Sequence, residues 1–146
     1  MKFVVKYFDE LTTKELYEIL KARAEVFVVE QNCIYQDLDD NDYRSLHIFY
    51  EEQGKILAYL RAFHKSDEPG TVHVGRVLTI ARGTGLGGKL LHEALKQICE
   101  KMNPKQIFIG AQSYATGFYA KEGFRITSEE YLEDGIPHME MRLELS

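Results

Sequence analysis

The stretch Arg82-Gly83-Thr84-Gly85-Leu86-Gly87-Gly88-Lys89 sets four glycines in six residues between two cationic side chains. Glycines at that density free the backbone for positive φ and let a ligand reach main-chain N–H groups without Cβ atoms in the way. A strand-like run, Val72 to Ile80, enters the stretch, and a helical run, Lys89 to Met102, leaves it. The first N–H groups of a helix have no partner within it, and its dipole adds partial positive charge at that end. These are the makings of a phosphate site. Gly83-x-Gly85-x-x-Gly88 satisfies the dinucleotide pattern, but the next strand, Gln106 to Gly110, runs into Ala111-Gln112-Ser113 without the carboxylate a ribose needs. Gly83-x-x-x-x-Gly88-Lys89 satisfies most of a triphosphate loop, with Leu90 where the magnesium-ligating Ser or Thr belongs.

A third pattern fits in full. Arg82-x-x-Gly85-x-Gly87 resembles the pyrophosphate loop of the GNAT superfamily of acyl-CoA-dependent N-acyltransferases. Val77 stands five residues before the arginine, where that family places the last residue of a splayed central strand. The segment Gln112 to Phe124 resembles the family's second cofactor segment, commonly Asn-x-x-Ala-x-x-x-Tyr-x-x-x-Gly-Phe, with Gln112 in place of the Asn. Val28-Val29-Glu30-Gln31-x-Cys33-x-Tyr35, the Asp-rich run after it and Asp134-Gly135-Ile136-Pro137-His138 resemble the ElaA-type subgroup. The similarity spans nearly the whole chain.

The resemblance implies an α/β fold with a mixed, splayed central sheet of about six or seven strands and helices on both faces. It implies acetyl-CoA as co-substrate, no metal, and transfer of the acetyl group to a primary amine by direct attack on the thioester. The cofactor would be held by Val77, Leu78, Thr79, Arg82, Gly83, Thr84, Gly85, Leu86, Gly87, Gly88 and Lys89, and by Gln112, Ala115, Phe118 and Tyr119. Pantetheine would lie between two splayed parallel strands, Gly75 to Thr79 and Ile107 to Gln112.

Such a transfer makes three demands. The amine must lose its proton, the carbonyl oxygen must be stabilised as charge develops, and the departing thiolate needs a proton. The resemblance gives the second to the Val77 amide and the third to Tyr119, whose phenol is protonated at neutral pH. For the base the sequence offers Glu30, after the first helix, and His138, on the polar side of the last strand, and leaves a water chain open. An acyl-CoA sensor without turnover and a nucleotide hydrolase using the near-triphosphate loop are the competing readings.

At 146 residues the chain suits one domain, 1–146, able to bury roughly two thirds of its unfolded surface. With 45% hydrophobic and 28% charged residues it reads as an ordinary globule, and a net charge of −5 argues against a nucleic-acid groove. Cys33 and Cys99 lie far apart without metal-ligand spacing, and no run is long or apolar enough for a signal peptide or a membrane span. A cytoplasmic protein is expected, with the oligomeric state open between monomer and homodimer.

The elements that must position these residues follow from periodicity. Lys2 to Phe8 reads as a strand, and Thr12 with Glu15 has capping-box spacing before an amphipathic helix from Thr13 to Phe27. Val28 to Tyr43 reads as a solvated acidic loop or, alternatively, as carboxylates lining an acceptor pocket. Its Asp37-x-Asp39-x-Asn41 lacks the glycine and closing glutamate of a calcium loop. Leu46 to Glu52 and Ile56 to His64 form a hairpin about Gln53-Gly54-Lys55, and the second strand is apolar on both faces. The crossover from Val72–Ile80 to Ile107–Ile109 is parallel and right-handed. A short helix, Ala115 to Lys121, precedes two strands, Phe124 to Tyr131 and His138 to Leu145.

Overall fold

The computed structural model describes residues 1–145; Ser146, the last residue of the expected domain, lies outside them. Strands β1 (Lys2–Tyr7), β2 (Leu46–Glu52), β3 (Lys55–His64) and β4 (Thr71–Thr79) form an antiparallel meander, with β1 followed by α1 (Thr13–Arg23). From β4 the chain passes through α2 (Leu86–Met102) to β5 (Gln106–Gln112), parallel to β4, then through α3 (Thr116–Ala120) to β6 (Arg125–Ile126), β7 (Tyr131–Glu133) and β8 (Ile136–Glu144). The sheet order is β1-β2-β3-β4-β5-β8-β6, with β7 on β8. This is the expected mixed sheet, with one strand beyond the six or seven expected.

The extra strand comes from Phe124 to Tyr131, which is two short strands rather than one. The main chain leaves the sheet after Ile126, and Ser128 Oγ accepts from the Glu140 amide (2.9 Å). Asp134 and Gly135, both at positive φ, then close a tight turn between β7 and β8.

Each face carries its own core. On one, Leu90, Leu91, Ala94 and Ile98 of α2 pack on Leu60, Ala62, Val74 and Ile107; on the other, Ile19, Ala22 and Val26 meet Phe49, Ile56 and Tyr59. The capping box forms as read: the Glu15 amide donates to Thr12 Oγ1 (3.0 Å) and the Thr12 amide to Glu15 Oε1 (2.8 Å). Beyond Arg23 the first helix continues as a wider π-helical turn to Glu30.

The sheet is interrupted where the expected site residues converge. Leu60 of β3 faces two residues of β4, because Tyr59 pairs with Leu78 and Arg61 with Gly75. The bulge contains Arg76, at φ 53, and Val77. On the other edge, β4 pairs with β5 only through Thr71, Val72 and His73. Beyond His73 the two parallel strands part, and β5 continues against β8 alone as far as the Gln112–His138 pair.

Candidate active site

The parting of β4 and β5 opens a cleft of about 1000 Å³. One side is β4 from Val74 to Thr79, and the other is Ile109, Gly110 and Gln112 with Ala115, Phe118 and Tyr119 beyond. The cleft therefore joins Val77, Leu78 and Thr79, expected from the first motif, to Gln112, Ala115, Phe118 and Tyr119, expected from the second. His138 lines it too, and Arg82 stands at its edge.

Past Arg82 the glycine loop stays exposed through Gly85. Gly83 and Gly85 sit at φ +75 and +76 with open space where a Cβ would stand. Their glycines serve the backbone, since the left-handed region is costly for a residue with a side chain. Thr84 braces the loop by donating to the Ala81 carbonyl (2.7 Å) and accepting from the Leu86 amide (3.3 Å). The helix begins at Leu86, three residues earlier than periodicity indicated, so Gly87 and Gly88 are helical. Gly87 is required by packing: a Cβ there would lie 2.6 Å from Thr79 Oγ1. Phe118 covers the same turn, which fixes the second cofactor segment against the first. The earliest N–H groups of α2 have no intrahelical partner, and this open, left-handed main chain suits a pyrophosphate. Lys89 extends elsewhere, its Nζ 5.5 Å from the centre of the Tyr50 ring.

Tyr119 is 7% exposed, its ring edge-on to Phe118 at 5.1 Å and to Phe124 at 6.0 Å. Burial, with Tyr114 adding to it, pushes its phenol above the ordinary range, so it holds its proton. His138, a candidate base from the sequence, is buried and lines the cleft. Its Nδ1 lies 2.7 Å from the Ile136 carbonyl, which only accepts, so Nδ1 carries the hydrogen. A neutral ring then presents Nε2 as an acceptor, 3.5 Å from Glu133 Oε2, with Tyr131 stacked on its face. Glu30 is engaged differently: its Oε2 accepts from Arg82 Nη2 at 2.5 Å.

The acidic run is not a solvated loop. Arg23, wholly buried, donates to Asp37 Oδ2 (3.0 Å) and Asp42 Oδ1 (2.6 Å). Arg61 donates to Asp42 Oδ1 (2.9 Å) and to both oxygens of Asp39, and Arg76 Nε to Asp37 Oδ1 (2.9 Å). Three aspartates thus balance three arginines, and residues 31–44 become a strap along one wall of the cleft. Burial works to raise the Asp39 carboxyl, but the Arg61 hydrogen bonds and charge outweigh it and hold it well below its usual range. Sequence reasoning missed this network. The available signal was Arg61 itself, a charge inside a strand that both faces cover and that therefore needs a carboxylate.

The chain matches the family model described as acetyltransferase (GNAT) domain over residues 9–145. It is 42% identical over 149 residues to a UPF0039 protein of Schizosaccharomyces pombe, covering 99% of this chain and 98% of that protein. It is 36% identical over 143 residues to protein ElaA of Escherichia coli, covering 95% and 94%. The crystal structure of E. coli ElaA superposes with a TM-score of 0.91 at 35% identity, over 98% of this chain and 99% of that one. An acyl-CoA N-acyltransferase structure from Pseudomonas aeruginosa gives a TM-score of 0.90 at 37% identity, over the same shares of the two chains.

Proposed function

This chain belongs to the GNAT acetyltransferase family, and from that premise we propose that it transfers an acetyl group from acetyl-CoA to a primary amine. The bound thioester supplies an activated acetyl carbonyl. The main chain of Gly83 to Lys89 holds the pyrophosphate, and the facing edges of Val77–Thr79 and Gln112 flank the pantetheine arm. Val77, in the bulge, offers its amide to the carbonyl oxygen, where a fixed donor in a water-poor site acts most strongly. Tyr119 gives its proton to the departing thiolate.

His138 serves as base in preference to Glu30. Its tautomer, set by the Ile136 carbonyl, leaves Nε2 without a hydrogen and able to take the amine proton, with Glu133 3.5 Å away to offset the charge gained, whereas the Glu30 carboxylate already accepts from Arg82. The observation that carries the reading is the parting of β4 and β5 after His73, which makes one cleft of both cofactor segments.

Calorimetric titration with acetyl-CoA, followed by thiol release over a panel of primary amines, tests it. Saturable binding and amine-dependent thiol release are expected. A folded protein that gives no heat with acetyl-CoA would overturn the reading, and binding without turnover for any amine would make the protein a sensor.

A further inference from the structure

The half of the cleft away from the glycine loop has a polarity of its own. Its floor is a row of rings on adjacent strands: Phe63 lies 4.9 Å from His73, and His73 lies 4.9 Å from Phe108. Two cations lean onto the ends of this row. Arg44 is 4.5 Å from the centre of Phe63, and Lys65 Nζ is 4.2 Å from the centre of Phe108.

Among the described residues neither cation has a close carboxylate, unlike the other cationic side chains of the cleft. Arg61 and Arg76 are taken by the strap aspartates and Arg82 by Glu30. Arg44 spends its donors on Asn41 and on the His64 carbonyl. Lys65, whose side chain is 19% exposed, has the outward Asp67 at 4.0 Å, while Glu68, which feels its charge, is taken by Arg142. An ammonium with so weak a partner gains from an anion brought by a ligand. The floor feels this field: burial first, then the charges of Lys65, Arg61 and Arg76, push the His73 imidazole down to about 4.

The opposite end is acidic. Glu133 and Asp134 stand at the β7–β8 turn beside His138. Phe108 and Gln112, the latter paired with His138, are four positions apart on one face of β5. At ~3.3 Å per residue that is roughly 13 Å, and side chains reaching inward shorten it to on the order of 10 Å. If pantetheine fills the gap beside the glycine loop, this half is the acceptor's way in.

We propose that the acceptor is a primary amine with an anionic group at its far end, the anion held by Lys65 and Arg44 while the amine meets His138 and Glu133. The inference rests on the acetyl-transfer reading for its chemistry, while its binding claim stands separately. A carboxylate and a phosphate would both satisfy the cationic end.

Four probes with one chain length test it: aminooctanoate, aminooctyl phosphate, octylamine and diaminooctane. The kcat/KM for at least one anionic probe should exceed that for octylamine and diaminooctane by about tenfold or more, the usual worth of a charge-assisted contact. Whichever of the two anionic probes leads identifies the anion. Lys65→Met combined with Arg44→Gln should bring the ratio of anionic probe to octylamine close to one. Lys65→Glu should turn the preference toward diaminooctane, a gain that misfolding cannot mimic.

Octylamine or diaminooctane used as well as the anionic probes, or a preference that survives both sets of substitutions, would overturn the inference and leave acetyl transfer standing. If no amine is acetylated, calorimetry on the coenzyme A-loaded protein decides. Tighter binding of the anionic probes, lost in the Lys65→Met, Arg44→Gln variant, would keep the anion site while acetyl transfer fails. Equal binding of all four would overturn both.

Discussion

The glycine loop and the aspartate strap flank one cleft and are built in opposite ways. The loop is main chain: Gly83 and Gly85 turn it, and Thr84 braces it through bonds to Ala81 and Leu86, three and two residues away. The strap is side chain: its bonds join residues 14, 19, 22 and 39 positions apart. A ligand at the loop meets N–H groups whose positions the backbone sets. One at the strap meets charges already cancelled, so the strap shapes a wall and attracts little. The loop should therefore fail in binding, and the strap in folding.

The largest effect expected is at the loop. Gly85→Asp forces a side chain into the left-handed region and sets a negative charge where pyrophosphate would sit. Nothing crowds that position, so the fold should survive while calorimetry detects no coenzyme A binding. Normal affinity in that variant would mean that the loop is not the phosphate site. Arg23→Ala should do the reverse. It empties a fully buried site and takes one of two arginine partners from each of Asp37 and Asp42, leaving Arg76 and Arg61 to hold them. The loss should lie near the lower end of the about 3–5 kcal/mol typical of a broken buried pair, read as a lowered urea midpoint. An unchanged midpoint would show that the strap adds nothing to stability.

The same contrast governs what the sequence disclosed. Gly83, Gly85 and Gly87 announce their loop because four glycines in six residues have a local cause. The capping box, the hairpin at Gln53-Gly54 and the apolar stripe of α2 are legible for the same reason. Arg23 and Arg76 each read alone as an ordinary charge, Arg61 shows only that some carboxylate is needed, and the sheet register and the π-helical turn bring all three to Asp37, Asp39 and Asp42. Glu30 was legible as a carboxylate near the cleft, but its capture by Arg82, 52 residues away, was not. The split of Phe124–Tyr131 into β6 and β7 was hidden likewise, since its cause is Ser128 meeting Glu140 across the sheet.

Tyr119→Phe sharpens the comparison within the cleft itself. Among the described residues the phenol hydroxyl enters no hydrogen bond, so its loss should leave coenzyme A affinity and the melting temperature nearly unchanged. Turnover should fall on the order of 10²-fold, as when a general acid is removed. Unchanged turnover would transfer the proton to water or another group, and a parallel fall in affinity would make the tyrosine a binding residue.

The smallest effect separates strap from floor by pH. Asp39 and Asp42 have native carboxyls held low by their arginines despite burial, so below the ordinary aspartate value of about 3.9 the unfolded chain binds protons that the folded one refuses. Their stabilisation is complete above that value and is lost as pH falls beneath it. His73, pushed down to about 4, stays neutral in the fold while an unfolded histidine protonates near 6.5. Between those values the unfolded state again binds the extra proton, so stability falls as pH drops from about 6.5 to 4. His47, lowered chiefly by burial, adds slope in the same direction. His73→Phe keeps a ring between Phe63 and Phe108 and removes the titration. The unfolding free energy from urea melts should then decline less between pH 6.5 and 4, by on the order of 1 kcal/mol once partial solvent access is discounted, while the loss below pH 4 persists. If the upper window keeps its full slope in that variant, His47 carries it alone, and burial with the charges of Lys65, Arg61 and Arg76 does not hold His73 neutral.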